Sequence, residues 1–472
     1  MARATWTVSG TLTVGDVPGD FQLNNSDTQP LAGVSVKIYA NEGVRWNLWG
    51  SATTNANGNF SLTKTKDRTR RKFRIKAQFK NKDMVIYGSN PSVLSALLPK
   101  FDRLNVMTPE NVGLLEGILD HTSRLTYKSD WYTIHETEGE RRDQTRRNYS
   151  VDITMRMNTH GRTAFRHAFM WYGLETLRRH LEEKGLPFKK KIAVKYPHDN
   201  LLISNKLEQA YCSPINNCVY LCDNGRIDNM ETGTRNDLTL ETLYHEAMHL
   251  WAYGYSRGED GMAWQLLIHG STHDGIQNKT FVAFHEAFAE VAARTLLKNI
   301  FNHRGFIYDH PDRPFRNQPF NRRFLRSMGI NVLSDIDHHE FGWMHIFNTL
   351  MCKNLRQFDL NRESTRTGMS IYADRRFSDS DRVYSLTIYD IMEAFNHPAP
   401  YKTKDMRFEN FLERVRRSVD EFDANSVNAF RIFFNVNHMG LPRVELTNPP
   451  LETEPRTIEG KKGVTQRRLS RR

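Results

Sequence analysis

The sequence contains little cysteine, no long apolar run and few apolar residues near its first methionine. Four Cys among 472 residues exclude a small scaffold held together by disulfides. No apolar run approaches the ~18 residues of a transmembrane helix, so no membrane span is expected. The first ten residues, MARATWTVSG, lack the apolar stretch of a secretory signal peptide. A cytoplasmic location is the default expectation, with leaderless export or a removed signal as the alternatives.

Acidic residues are also fewer than basic ones, 54 against 66, which gives a net charge of +12. Six of the basic residues lie in the last twelve positions, which hold no acid: Lys461, Lys462, Arg467, Arg468, Arg471 and Arg472. Residues 442–472 are predicted to form a disordered basic tail, which either stays solvated or binds anionic partners. Nucleic-acid recognition would need basic residues clustered with aromatics on one face. The sequence offers only this tail and scattered loops, so a nucleic-acid partner is not expected.

Three of the four cysteines lie close together in the segment YCSPINNCVYLC, at Cys212, Cys218 and Cys222. Their spacing fits no standard structural zinc pattern. A local disulfide between two of them stays open, but buried free thiols are the expected state.

The segment DLTLETLYHEAMHLWA, residues 237–252, is predicted to form a helix around the motif His245-Glu246-Ala247-Met248-His249. Positions i and i+4 of a helix share one face, so His245 and His249 can bind one ion. Two neutral imidazoles suit zinc, and the neighbouring Glu246 can take a proton from a water that zinc acidifies. A five-residue match can arise by chance in a chain with 18 His. Here, however, the pair interrupts an apolar helix, where buried imidazoles need a partner.

A catalytic zinc needs a third protein ligand, and the segment FVAFHEAFAEVAARTLL, residues 281–297, can supply it. This predicted helix is apolar nearly all round, yet it carries Glu286 and Glu290 on one face. Buried carboxylates are costly unless they bind a metal or a charged donor. Glu286 is therefore the expected ligand, and Glu290 is expected to accept a hydrogen bond from a ligand histidine. His285, about 100° away around the helix, is the competing ligand.

The pair HEAMH and HEAFAE resembles the gluzincin branch of zinc metallopeptidases, the thermolysin-like group. That resemblance covers about residues 150–440. It implies a zincin-like fold, a zinc ion held by His245, His249 and Glu286, and Glu246 as general base. It also implies that Glu290 braces a ligand histidine. The metzincin variant is disfavoured because LWAYGYS, which follows the motif, lacks the further histidine that variant requires.

Residues 1–88 are predicted to form a separate all-β sandwich, because apolar and polar residues alternate in several short segments. Residues 34–39 and 73–80 alternate in this way, and NANG at positions 55–58 is a strong turn signal. The phrases PLAGVSVKIYA and WGSATTNANGNFSL resemble the transthyretin-like, or carboxypeptidase-regulatory-like, sandwich. That resemblance implies an accessory folding or binding module without chemistry of its own.

The remaining chain is predicted to contain a connector at 89–150 and an α+β, mainly helical, zincin-like domain at 151–441. A helix at 163–184, strands at 191–196 and 217–222, and the motif helix follow in order. The strand at 217–222 is expected to line the cleft, where an extended substrate can pair with it. The whole protein is thus expected to be multidomain.

The expected activity is zinc-dependent hydrolysis of peptide bonds in a peptide or protein substrate. Two other classes remain open: a catalytically silent zinc-containing binding or adhesion protein, and a nucleic-acid-binding protein that uses its basic surface. The sequence does not predict an oligomeric state.

Overall fold

The computed structural model describes residues 4–41, 45–66, 72–88, 129–137, 148–197, 210–213, 217–221, 237–255, 280–302, 340–351, 386–396, 408–420, 422 and 427. Both sheets and helices are present, as expected for a multidomain protein of mixed content. Within the described residues, no helix combines the length and the apolar character needed to cross a membrane.

The first sheet is built around the long strand β1. Its strands are β1 (Ala4–Val14), β2 (Gln29–Pro30), β5 (Asn59–Lys66) and β9 (Asn148–Met155). Strands β2 and β5 pair with β1 antiparallel, whereas β9 pairs with it parallel. The close approach of β1 to β9 explains Gly10, because a Cβ there would collide with the carbonyl oxygen of Val151.

The second sheet is antiparallel throughout and has the order β4-β3-β6-β8. Its strands are β3 (Ser35–Asn41), β4 (Trp46–Thr53), β6 (Lys72–Gln78) and β8 (Tyr132–Glu136). Strands β3 and β6 bury every second residue, which confirms the predicted alternation. The predicted turn is also present: the Asn55 side chain accepts hydrogen bonds from two backbone N–H groups, and Gly58 has φ of 76°.

The third sheet has the order β11-β12-β10-β7. Its strands are β7 (Met84–Tyr87), β10 (Ile192–Lys195), β11 (Tyr211–Ser213) and β12 (Cys218–Tyr220). Strand β10 runs parallel to both neighbours, and β11 runs antiparallel to β12. Strand β12 lies in the segment that was predicted to pair with an extended substrate, but it is already paired on both sides. This prediction is therefore corrected, because β11 and not β12 lies at the end of the described sheet.

Seven described segments are α-helical. They are α1 (Met157–His160), α2 (Arg162–Glu183), α3 (Asp237–Tyr255), α4 (Thr280–Phe301), α5 (Glu340–Leu350), α6 (Ile388–Asn396) and α7 (Phe408–Ser418). Helix α2 is anchored to the loops between the N-terminal strands, since Trp171 Nε1 donates to the Ala32 carbonyl at 2.7 Å and the Tyr172 hydroxyl donates to that of Phe21 at 2.8 Å. The predicted helices at 163–184, 237–252 and 281–297 correspond to α2, α3 and α4.

Strand pairing does not follow the predicted division at residue 88. Strand β8 lies in the segment predicted as a connector, and β9 crosses from that segment into the predicted zincin-like domain, yet both belong to the first two sheets. Strand β7 lies inside the predicted sandwich range, yet it pairs with β10. Inward residues of all three sheets and of the helices join one hydrophobic core. An isolated segment 1–88 would therefore lack two sheet partners, β8 and β9.

We therefore expect a fragment of residues 1–88 to show no cooperative thermal unfolding, because β1 loses the pairing that β9 provides along residues 7–14. The full chain should unfold cooperatively. Circular dichroism melts of both proteins check this. A cooperative melt of the short fragment would contradict it, and would mean that β8 and β9 are dispensable additions.

Candidate metal centre

Helix α3 is held in a fixed register against α2. The Tyr244 hydroxyl donates to the Gly173 carbonyl at 2.8 Å. A Cβ at Gly173 would lie 2.4 Å from the Leu240 side chain, so a larger residue there would force that side chain to shift. Further along, Trp251 Nε1 donates to the Leu186 carbonyl at 2.9 Å. These contacts fix the face on which His245 and His249 lie.

Helix α4 brings a carboxylate to both histidines. Glu286 Oε2 lies 3.1 Å from His249 Nε2 and 3.5 Å from His245 Nε2. The two Nε2 atoms are 3.1 Å apart. His245, His249 and Glu286 therefore lie close enough to bind one metal ion, since one ligand atom from each lies within 4.8 Å of the others. His249 and Glu286 are buried, with 4% and 6% of their surfaces exposed.

The three separations suit a small tetrahedral cation. Zinc–nitrogen distances of 2.0–2.1 Å place neighbouring tetrahedral ligand atoms about 3.3–3.4 Å apart. The separations of 3.1, 3.1 and 3.5 Å bracket that value. Two imidazoles and one carboxylate are also a donor set that catalytic zinc uses. By geometry and by ligand chemistry, the residues present fit a zinc ion.

A second acidic residue on α4, Glu290, contacts the ring nitrogen of His245 that does not face the other two candidate ligands. His245 Nδ1 lies 3.1 Å from Glu290 Oε2, and Glu290 forms an ion pair with Arg294, one turn further along α4. A carboxylate in this position fixes the orientation of the imidazole and leaves Nε2 available as a ligand. The equivalent atom of His249, Nδ1, is buried without a hydrogen-bond partner among the described residues.

The protonation of His245 depends on these carboxylates. Burial lowers its pKa, but the interactions with Glu286 and Glu290 and the charge of Glu246 outweigh burial and raise that pKa well above its ordinary value. Because an imidazole must lose its proton to bind a metal, a proton on His245 competes with a cation for the same site.

Glu246 is buried beside the three candidate ligands, with 8% of its surface exposed. Strand β11 packs against α3 and places the half-buried Cys212 next to this carboxylate. Burial raises the pKa of the Cys212 thiol well above its ordinary value, and the charges of Glu246 and Glu286, with a hydrogen bond to Glu246, raise it further. The thiol therefore remains protonated and donates to Glu246. This contact was not foreseen, because the pairing that forms β11 carries no local sequence signal.

The competing ligand, His285, lies outside the group of three. Its ring stacks on Tyr253 with centroids 5.8 Å apart, and Tyr253 stacks on His249 at 6.2 Å. Both ring nitrogens are buried without a hydrogen-bond partner among the described residues. The pKa of His285 is lowered to about 3, mainly by burial and also by the nearby His249 and Arg414, which outweigh the opposing effect of Glu286, so the ring is neutral. The i+4 spacing of Tyr253 from His249 could have predicted that these two rings stack.

No protein-family model matches the chain, and no similar protein is found among curated sequences. The resemblance to gluzincins therefore rests on the motif residues and their arrangement. The sequence leaves the transition-state donor open among His338, His339, His345, Tyr372 and Tyr384. Four of these lie outside the described residues, and of His345 the structure describes only its place in helix α5.

Replacing Glu290 by Gln should weaken zinc binding or activity about 10- to 100-fold, because the neutral amide orients His245 less strongly than a carboxylate does. A competition titration against a zinc chelator measures the affinity. Glu183→Gln, at an exposed position of α2, is the matched control and should leave the affinity unchanged. Equal affinity in both variants would contradict a supporting role for Glu290.

Proposed function

We propose that the protein is a zinc-dependent metallopeptidase of the gluzincin type, with His245, His249 and Glu286 as the zinc ligands. The observation that carries this proposal is the convergence of the three ligand atoms from α3 and α4 at 3.1–3.5 Å from one another. Two helices packed together hold these atoms in place, which is the rigidity that a metal site needs.

The buried Glu246 favours a catalytic role over a structural one. A structural zinc site is complete with its ligands, and it gives no reason to bury an additional carboxylate beside them. When bound, zinc supplies Lewis acidity, which lowers the pKa of water and polarises a carbonyl. Glu246 accepts the proton that the attacking water loses and then delivers it to the leaving amine. The Cys212 thiol orients the Glu246 carboxylate by donating to it.

The proposed substrate is a peptide in extended conformation, and β11 is the element that would bind it. This strand ends the described sheet and packs beside the helix that carries Glu246. An extended peptide can pair with such a strand through backbone hydrogen bonds. That pairing would hold a scissile bond alongside α3.

The proposal predicts that the zinc-loaded protein cleaves members of a diverse peptide mixture, as followed by mass spectrometry. A strong chelator should abolish cleavage, and added zinc should restore it. A mixture is preferable to one substrate because it also detects narrow specificity. If no peptide is cleaved by protein that retains its zinc, the silent zinc-binding alternative is favoured instead.

A further inference from the structure

The outer surface of the second sheet, β4-β3-β6-β8, is rich in both cations and aromatic rings. Alternate residues of β3 and β6, such as Val36 and Ile75, are buried, so the residues between them face outward. We call this surface the cationic face and define it by these accessible residues: Lys37, Tyr39, Trp46, Lys72, Arg74, Lys76 and Trp131.

Strand register places like charges next to each other on the cationic face. Lys37 of β3 lies directly opposite Lys76 of β6, and Tyr39 lies opposite Arg74. Like charges in directly opposed positions destabilise a sheet. Arg74 is neutralised by Glu136 at 2.7 Å, but Lys37 and Lys76 have no carboxylate partner among the described residues. Two positive charges on this surface are therefore not neutralised by a described carboxylate and can be neutralised by an anionic ligand.

Each aromatic ring of the cationic face lies beside one of these cations. Lys37 Nζ is 4.1 Å from the centre of the Trp131 ring, and Arg74 Cζ is 4.2 Å from that of Trp46. Lys76 Nζ is 5.6 Å from the Tyr39 ring. Outward residues recur about every 6.6–6.8 Å along a strand, twice the rise per residue. The result is a surface on which charges and flat rings alternate.

The first sheet provides a contrast within the same protein. Its outer surface carries neutral hydroxyl pairs, Thr5 with Thr65 at 3.1 Å and Thr7 with Thr63 at 3.0 Å. Both sheets alternate buried and accessible residues in the same way, so the cations of the second sheet do not follow from strand formation alone.

We infer that the cationic face binds single-stranded nucleic acid. Phosphates would draw Lys37 and Lys76 off the rings of Trp131 and Tyr39, and bases would stack on the ring faces that these lysines leave. A sheet surface that combines a positive field with aromatic rings is a known solution for binding single strands. An acidic polysaccharide is less well matched, because it offers charge but no flat aromatic bases. The cationic face has the basic and aromatic residues together on one surface that nucleic-acid recognition requires. The basic C-terminal segment has no aromatic residue among its last twelve positions.

The test is a fluorescence-anisotropy titration of the full chain with labelled 12-nucleotide poly(dT) DNA and poly(U) RNA over a range of salt concentrations. The double variant Lys37→Ser/Lys76→Ser should lower the slope of log affinity against log salt by about 1.4 and weaken binding roughly 25-fold at 0.1 M salt. Trp131→Ala should weaken binding roughly 5- to 150-fold through lost stacking. Zinc content and thermal melts establish that each variant is folded.

The matched control is Lys184→Ser/Lys189→Ser, which also removes two lysines that lie over tyrosine rings, Tyr389 and Tyr255, away from this sheet. It should leave the affinity within about twofold of the parent. Equal losses in both double variants would overturn the inference and assign binding to overall charge or to the tail. Heparin binding that equals oligonucleotide binding and is unaffected by Trp131→Ala would indicate a polysaccharide surface instead.

In addition, the oligonucleotide should protect Lys37 and Lys76, but not Lys184, from acetylation, and no protection would also overturn the inference.

Discussion

Replacing Glu246 by Gln should reduce peptide hydrolysis by roughly 10²–10⁴-fold while the protein keeps its zinc. Gln preserves the size and hydrogen-bonding capacity of the side chain, but it cannot accept a proton from water. Glu246 is not one of the three converging ligands, so the metal content should not change. Rates of peptide cleavage and zinc content, measured on the same preparation, check both parts of the expectation.

Glu241→Gln is the matched control for this experiment. Glu241 lies on the same helix, α3, but outside the group of converging ligands, so its replacement should leave cleavage within about twofold of the parent. Unchanged cleavage in Glu246→Gln would rule out Glu246 as the general base. Loss of zinc from Glu246→Gln would instead show that this residue acts on the metal site itself.

Removing one of the three ligands should have the largest effect on the metal. We expect His249→Ala and Glu286→Ala each to lose more zinc affinity than the roughly 100-fold that a supporting residue can cost. Each variant leaves only two ligands and a buried, partly unpaired site. Elemental analysis after dialysis should find about one zinc per parent chain and almost none in either variant.

His285 provides the control that distinguishes the two ligand candidates on α4. His285 and Glu286 are adjacent in sequence, but only Glu286 faces both motif histidines. His285→Gln should therefore retain zinc, although the variant loses stacking on Tyr253 and some stability. If His285→Gln loses zinc and Glu286→Ala retains it, the assignment of the third ligand is reversed.

The candidate metal centre was predictable because its residues follow a helical period. His245 with His249, and Glu286 with Glu290, are one turn apart in apolar segments, and buried polar groups require partners. Those two facts suffice to place both pairs together. They do not specify that His249 Nδ1 lacks a described partner, or that Tyr253 separates His249 from His285, because these details depend on how α3 and α4 pack.

Features that depend on pairing between distant strands were not predictable from the sequence. Alternation of buried residues shows which face of β3 or β6 lies outward, but it does not reveal the neighbouring strand. The position of Cys212 beside Glu246, the membership of β8 and β9 in the first two sheets, and the apposition of Lys37 and Lys76 all arise from such pairing. The cationic face was not predicted for this reason, although each of its residues can be read from the sequence.

The most direct test of the metal centre is X-ray diffraction from crystals of the zinc-loaded protein, recorded on both sides of the zinc absorption edge. We expect one anomalous peak, about 2.0–2.2 Å from Nε2 of His245, Nε2 of His249 and a carboxylate oxygen of Glu286. A peak bound by His285 in place of Glu286, a peak elsewhere, or no peak at this site would contradict it.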